Sequence, residues 1–232
     1  MDIIVEGTRQ ALALLVSGDA ELWRVIWLSL TVSGLATLLS LAMGIPLGAL
    51  LALRPFPGRR VVISIVNTGM GLPPVVVGLF VTIMLWRNGP LGTFRLLFTP
   101  TAMVIAQCVI ATPIVIGLSL AALQALNPKL RLQLLALGAS RPQLVWLLMR
   151  EARLPLLAAV MAGFGAVISE VGASMMVGGN IQGQTRVLTT ATVMEASKGN
   201  FDLAIALSLV LLLLMLVVNT LLTWLQQRQR PL

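Results

Sequence analysis

Five stretches of the chain run without a charged side chain: Val25 to Leu53, Val61 to Trp86, Leu96 to Pro128, Leu154 to Ser169 and Leu203 to Gln227. A hydrocarbon core of about 30 Å is crossed by about 20 helical residues, so four of the five are long enough outright. The fourth stops at Glu170, but the neutral run Val171 to Gln184 follows it. That helix completes its crossing if the carboxylate faces protein or water instead of lipid. The pattern therefore predicts five spans, at about 25–53, 61–86, 96–126, 154–176 and 203–225. Ahead of them, Ile3 to Val16 carries Glu6 and Arg9 and is too short and too charged to span. It predicts an external amphipathic helix within an N-terminal region 1–24, followed by a transmembrane domain 25–232. Asp2 and Glu6 replace the positive start of a cleavable signal peptide, and no small-x-small site follows Ala11 to Val16, so the segment is expected to be retained.

Two spans carry interruptions. Gly69-Met70-Gly71-Leu72-Pro73-Pro74 in the second removes backbone donors at membrane depth, which is tolerated where helices or water satisfy the freed carbonyls. Thr112-Pro113 in the third repeats the device. A packing kink is the plainer reading; two broken helices in one small bundle point instead to a path beside them.

Composition sharpens this picture. Of 232 residues, 58% are hydrophobic and 10% charged, far below the roughly one quarter of a soluble domain. With no histidine and a single cysteine, Cys108, zinc sites, disulfides and Cys-His nucleophiles are excluded. The three aspartates, Asp2, Asp19 and Asp202, fall near span ends or outside, which excludes an intramembrane aspartyl dyad. Lys129 and Lys198 are followed by Leu130 and Gly199, so neither belongs to a nucleotide-binding P-loop. No catalytic residue and no metal site is expected.

Charge sets the orientation. Alternate connections hold Arg54, Arg59, Arg60, Lys129, Arg131, Arg141, Arg150, Arg153, Arg228 and Arg230 against one acid, Glu151. The opposite set is balanced. Basic residues are retained on the cytoplasmic side, which places the N-terminus outside and the C-terminus in the cytoplasm. The net charge of +8 is thus a topology signal answered by anionic lipid and protein partners, and no aromatic-basic patch indicates nucleic acid.

Two connections exceed what connection needs. The cytoplasmic one, 127–153, reads as a helix, with Leu132, Leu135, Ala136, Ala139 and Gln143 at helical spacing and Gly138 between. A solvated basic loop is the plainer alternative. The external one, 177–202, is rich in glycine and threonine and contains Gly178-Gly179-Asn180-Ile181-Gln182-Gly183-Gln184-Thr185-Arg186, a sequence that turns sharply and exposes backbone donors.

These two loops around the fourth span resemble those in the permease subunits of ATP-binding-cassette importers for oxyanions such as molybdate, tungstate, sulfate and phosphate. Gly138-Ala139-Ser140-Arg141 and Leu154-Pro155 resemble the end and exit of that family's cytoplasmic motif. Leu132-Gln133-Leu134 stands where the motif has Glu-Ala-Ala, and Leu-Pro arrives four residues late. Leu72-Pro73-Pro74-Val75-Val76-Val77-Gly78 and Gly163 to Ala173 are similar to the same group. Ser169-Glu170-Val171-Gly172-Ala173, with Gly179-Asn180-Ile181 and Thr185-Arg186, most resembles its tungstate branch.

The resemblance implies an all-α, polytopic type I importer permease of about five spans in the cell membrane. It implies partners: a second copy of the chain, a cytoplasmic ATPase subunit and an extracytoplasmic oxyanion-binding protein. ATP and Mg belong to the ATPase, and no cofactor is expected on this chain. Leu135, Gly138, Ala139, Ser140 and Arg141 are the expected coupling residues, Gly138 permitting close approach to the ATPase and Arg141 meeting acidic groups there. Pro73, Pro74, Glu170, Gly178, Gly179, Asn180, Thr185, Arg186 and Thr189 are expected at the path, the gate and the surface meeting the binding protein. Glu170 would repel an oxyanion and is assigned to holding the loop, whereas Asn180, Thr185 and Thr189 are neutral donors placed to hand the anion on. A secondary transporter would show two repeated halves and clustered intramembrane charges, and a membrane anchor would leave the broken helices unexplained.

Overall fold

A computed structural model describes residues 2–228, and these are helical with no strand among them. The elements are α1 (Asp2–Val16), α2 (Ala20–Leu53), α3 (Arg59–Met70), α4 (Pro74–Leu85), α5 (Pro100–Gln124), α6 (Pro128–Ala136), α7 (Arg141–Glu151), α8 (Arg153–Ile168), α9 (Gly172–Gly178), α10 (Leu188–Ser197) and α11 (Phe201–Arg228). By length and composition α2, α5 and α11 can each cross a membrane. The total becomes five if the bent pairs α3–α4 and α7–α8 each count as one span.

The bundle is centred on α2 against α5. Val32, Ala36, Ser40, Gly44 and Gly48 recur every fourth residue along α2 and are all buried. Small side chains in one i, i+4 row let two backbones approach closely, which is how helices associate where lipid competes for apolar contact. A Cβ on Gly44 would lie 2.6 Å from Val115 Cγ1, and one on Gly48 2.7 Å from Ser119 Cβ. Ser40 donates to Ala36 O at 2.7 Å, so its hydroxyl is satisfied within the seam. The outer faces are apolar: Leu212, Leu216, Val217 and Leu221 of α11 are exposed, as lipid contact requires.

Several boundaries differ from those the hydropathy suggests. The first span begins at Ala20, not Val25, because Asp19 accepts a hydrogen bond from Leu22 N at 2.7 Å and starts the helix ahead of its charged first turns. The division at residue 24 therefore cuts α2. The N-terminal helix ends at Val16 and lies along α11, with Gly7 against Ile205 and the Asp202 carbonyl.

The second span is interrupted, α3 and α4 meeting at 102°. The third is not: α5 runs unbroken through Pro113. The Pro113 ring packs beside Gly69, and Thr112 Oγ1 bonds Cys108 O at 2.7 Å. The 127–153 connection is two helices instead of one. Gly138, at φ +81°, ends α6: its N–H donates to Leu135 O and that of Ala139 to Leu134 O, a paired left-handed stop that glycine adopts without a Cβ clash. Ala139 and Gln143 thus do not continue the face of Leu132 and Leu135. Beyond α8 the chain breaks at 169–171 and resumes as α9, and the 177–202 connection contains α10.

Candidate functional site

Two breaks in the helices meet. The breaks at 71–73 and 169–171 lie side by side because α4 packs on α9 through glycine: a Cβ on Gly172 would be 2.6 Å from Val75 Cγ2, and one on Gly78 2.6 Å from Ala173 Cα. Pro73 is extended and Pro74 opens α4, where its missing N–H removes no helical bond. Glu170 is buried beside this junction. Its Oε1 accepts from Ala173 N at 2.8 Å and so supplies an acceptor to the first turn of α9, while its carbonyl accepts from Thr189 Oγ1 at 3.0 Å.

The external loop is built by side chains turned inward. Asn180 stands at φ +50° and its Nδ2 donates to Thr190 O at 3.3 Å and Met194 Sδ at 3.0 Å. Thr185 Oγ1 accepts from Ile181 N at 2.9 Å and donates to Gly178 O. Gly178 sits against Met103 and Gly179, at φ +71°, against the Phe98 ring. Phe98 N donates to Val177 O at 2.8 Å, and Leu188 N donates to Ser29 Oγ at 2.9 Å, which joins the loop to α2. Arg186 lies 3.8 Å from Glu21 and donates to Met194 Sδ at 3.4 Å. The hydroxyls of Thr185 and Thr189, expected to face a passing anion, are buried and already donate to backbone carbonyls here. Asn180 Oδ1 and Arg186 Nε are buried without a hydrogen-bond partner among the described residues.

At the outer end of the loop Glu195 accepts from Asn200 Nδ2 at 2.8 Å and Lys198 Nζ at 2.7 Å. These two bonds, the Asn200 bond first, hold its carboxyl below the ordinary carboxylate range.

Two polar groups escaped the sequence reading. Ser64, Asn67 and Thr68 are exposed on α3 just before the first break, and Ser64 and Thr68 line a groove of about 770 Å³ whose other walls, from α2 and α5, include Met43 and Thr112. Their i, i+3, i+4 spacing inside an otherwise apolar span is the signal that could have found them. Gln107 of α5 is buried and donates to Ser174 Oγ of α9 at 3.1 Å, a polar tie through the main apolar core.

At the other end of the bundle, α7 is seated through Leu144 and Leu148 against Ala49, Leu123 and Leu156. Gln143 Oε1 accepts from Ser140 N at 2.8 Å and starts α7 immediately after the Gly138 stop. The helix α6 buries none of its residues, and Leu132 and Leu137 are 67% and 84% exposed. Leu135 and Arg141 are also exposed, and Ala139 is half-buried. A Cβ on Gly138 would meet nothing within 4 Å, so within this chain the glycine serves the turn and no close contact.

Comparison with known proteins agrees with this architecture. The chain is 41% identical, over 98% of its length and all of the relative, to the tungstate uptake system permease protein TupB of Peptoclostridium acidaminophilum. It is 38% identical over 94% of its length to the TupB of Campylobacter jejuni, covering 92% of that protein. A probable anion ABC transporter permease of Haloferax volcanii is 46% identical over 83% of the chain and 85% of the relative. Among solved structures, an inward-facing MetNI methionine ABC transporter superposes with a TM-score of 0.74 at 22% identity, covering 91% of this chain and 97% of that one. A bacterial ABC transporter for alginate gives 0.75 at 20%, over 92% and 81%. Residues 44–231 match the family described as the inner membrane component of binding-protein-dependent transport systems, and the chain belongs to that family.

Proposed function

We propose that the chain is the membrane-spanning subunit of a tungstate importer, moving the oxyanion inward on ATP hydrolysed by a separate subunit. The observation that carries this reading is near-full-length similarity to two tungstate uptake permeases. The chemistry of the chain suits it. Residues exposed at the two breaks, 71–73 and 169–171, are neutral, and Glu170 is turned into the first turn of α9. An oxyanion passing neutral hydroxyls and backbone donors keeps its charge satisfied without a competing carboxylate.

Two copies of the chain form the pathway, with the groove along α2, α3 and α5 facing the partner. The N-terminus lies outside and the C-terminus in the cytoplasm. An extracytoplasmic binding protein delivers the anion to the loop containing Gly178, Gly179, Asn180 and Arg186, and Pro73, Pro74 and Glu170 lie below it at the gate. A cytoplasmic ATPase holds ATP and Mg. It takes the exposed apolar side chains of Leu132 and Leu137 at α6 as the contact, and Gly138, Ala139 and Ser140 set the angle at which α7 passes the movement on. This chain binds no cofactor and performs no catalysis of its own. The test is metal uptake in cells deleted for the chain and supplied in turn with tungstate, molybdate and sulfate. Tungstate accumulation should fall and return on complementation; unchanged tungstate with loss of molybdate or sulfate uptake overturns the substrate.

A further inference from the structure

Among the cytoplasmic basic residues, some are engaged within the chain. Arg59 Nε donates to Leu51 O at 2.6 Å, and Arg150 stands over the Trp146 ring at 5.4 Å. Arg54, Arg131 and Arg141 differ. They come from three elements, the end of α2, α6 and the first residue of α7, yet line one cleft of about 790 Å³. None has a carboxylate within 4 Å or a hydrogen bond from its side chain among the described residues. The one acid of the cytoplasmic segments, Glu151, is at the far end of α7, about 15 Å from Arg141 at the helical rise.

We propose that this cleft binds the phosphate headgroup of an anionic phospholipid of the cytoplasmic leaflet. The site lies where α2 ends, which on the orientation given above is the level of the cytoplasmic headgroups. Three guanidinium groups without a counter-charge repel one another and match phosphate oxygens in pairs. The positive end of α7, an 11-residue helix, adds to the attraction. Leu53, Leu144 and Val145 form an apolar wall beside the arginines. A glycerol backbone and the start of an acyl chain fit such a wall, and a free inorganic anion has no use for it. The headgroup bridges α2 to both helices of the arm, and α6, which buries nothing of its own, is fixed at the membrane surface by it.

The experiment uses the transporter assembled with its ATPase subunits in nanodiscs of phosphatidylcholine with a minority of phosphatidylglycerol. Phosphatidylglycerol retained after extraction is counted by mass spectrometry. Amide exchange in Pro128–Ala136 is followed with and without the anionic lipid. Each arginine near an anionic surface is worth roughly a fivefold change in affinity, so the combined Arg54→Gln, Arg131→Gln, Arg141→Gln variant should lose about a hundredfold. Its α6 amides should no longer respond to phosphatidylglycerol, and the corresponding triple lysine variant should keep most of the response. Equal retention by wild type and the glutamine variant overturns the proposal. So does a glutamine variant that keeps the lipid but releases the ATPase, which would assign the arginines to carboxylates of that subunit. Equal α6 protection by inorganic phosphate in pure phosphatidylcholine discs also overturns it. None of these readouts depends on which oxyanion is transported, so the substrate assignment stands or falls separately.

Discussion

Replacing Glu170 with alanine isolates the bond that starts α9. The carboxylate is buried and accepts from Ala173 N at 2.8 Å, and α9 has only seven residues. A buried N–H left without a partner costs about 1–3 kcal/mol, which is roughly a five- to 150-fold increase in local opening. Glutamine keeps an acceptor oxygen at the same position but gives up the charge-assisted part of the bond, so Glu170→Gln should lie between alanine and wild type. Thr189 bonds the carbonyl of residue 170 and is indifferent to the side chain, so α10 should stay in place in both variants. Amide exchange over 171–178, measured in the assembled transporter, should rise by that factor in Glu170→Ala, and tungstate uptake should fall in the same order, alanine below glutamine. Exchange at 171–178 and uptake both at wild-type level in the alanine variant would refute the capping role and the proposed place of Glu170 at the gate.

Three further outcomes are expected. Gly48→Val puts a branched side chain where a Cβ already lies 2.8 Å from Ile116 O, and overpacking of this kind costs about 1–3 kcal/mol. The thermal midpoint of the detergent-solubilised chain should drop, and an unchanged midpoint would mean the α2–α5 seam is not close-packed there. Gly138→Ala forces a left-handed residue with a Cβ, at about 1–2 kcal/mol, with open space around it. Stimulated ATP hydrolysis by the complex should fall while the chain remains folded; full stimulation would show that the angle between α6 and α7 is unimportant. Glu195 is held below its ordinary value of 4.5 by Asn200 and Lys198, so its contribution is present above that pH and is lost as pH falls through the lower folded value. Proteolysis of the external loop should therefore rise on acidification below about pH 4.5 in wild type, and the extra acid sensitivity should vanish in Glu195→Gln.

The apolar runs and the proline pair made the five crossings and the first break legible, because charge-free length and missing N–H groups act whatever surrounds them. Other features depend on neighbours. Pro113 carries the same local signal as Pro74, yet its helix continues because Gly69 on α3 leaves room for the ring. The heptad-like apolar spacing from Leu132 to Gln143 passes across Gly138 without interruption, and only a positive φ reveals that the helix has stopped. Thr185 and Asn180 read as exposed donors because loops rich in glycine and threonine commonly are solvated. Asn180 is held inward by Thr190 O and the Met194 sulfur, 10 and 14 residues away in sequence, and Thr185 by Gly178 O and Ile181 N. The row of five residues at every fourth position on α2 is present in the sequence, but its meaning needs the partner helix.

The turn 179–187 is tied to Gly178 of α9 and Thr190 of α10, and α10 behind it is tied to the Glu170 carbonyl and, through Leu188 N, to Ser29 of α2. A segment pinned at that many points cannot swing aside like a hinged flap, since each tie would have to break and leave a buried polar group exposed to apolar surroundings. It behaves as a panel fixed in its frame. On the two-copy arrangement proposed above, clearing the way for an anion then requires the frames of the two copies to part, a rigid displacement transmitted along whole helices, and the loop's own sequence governs how well the panel is glazed more than how fast it moves.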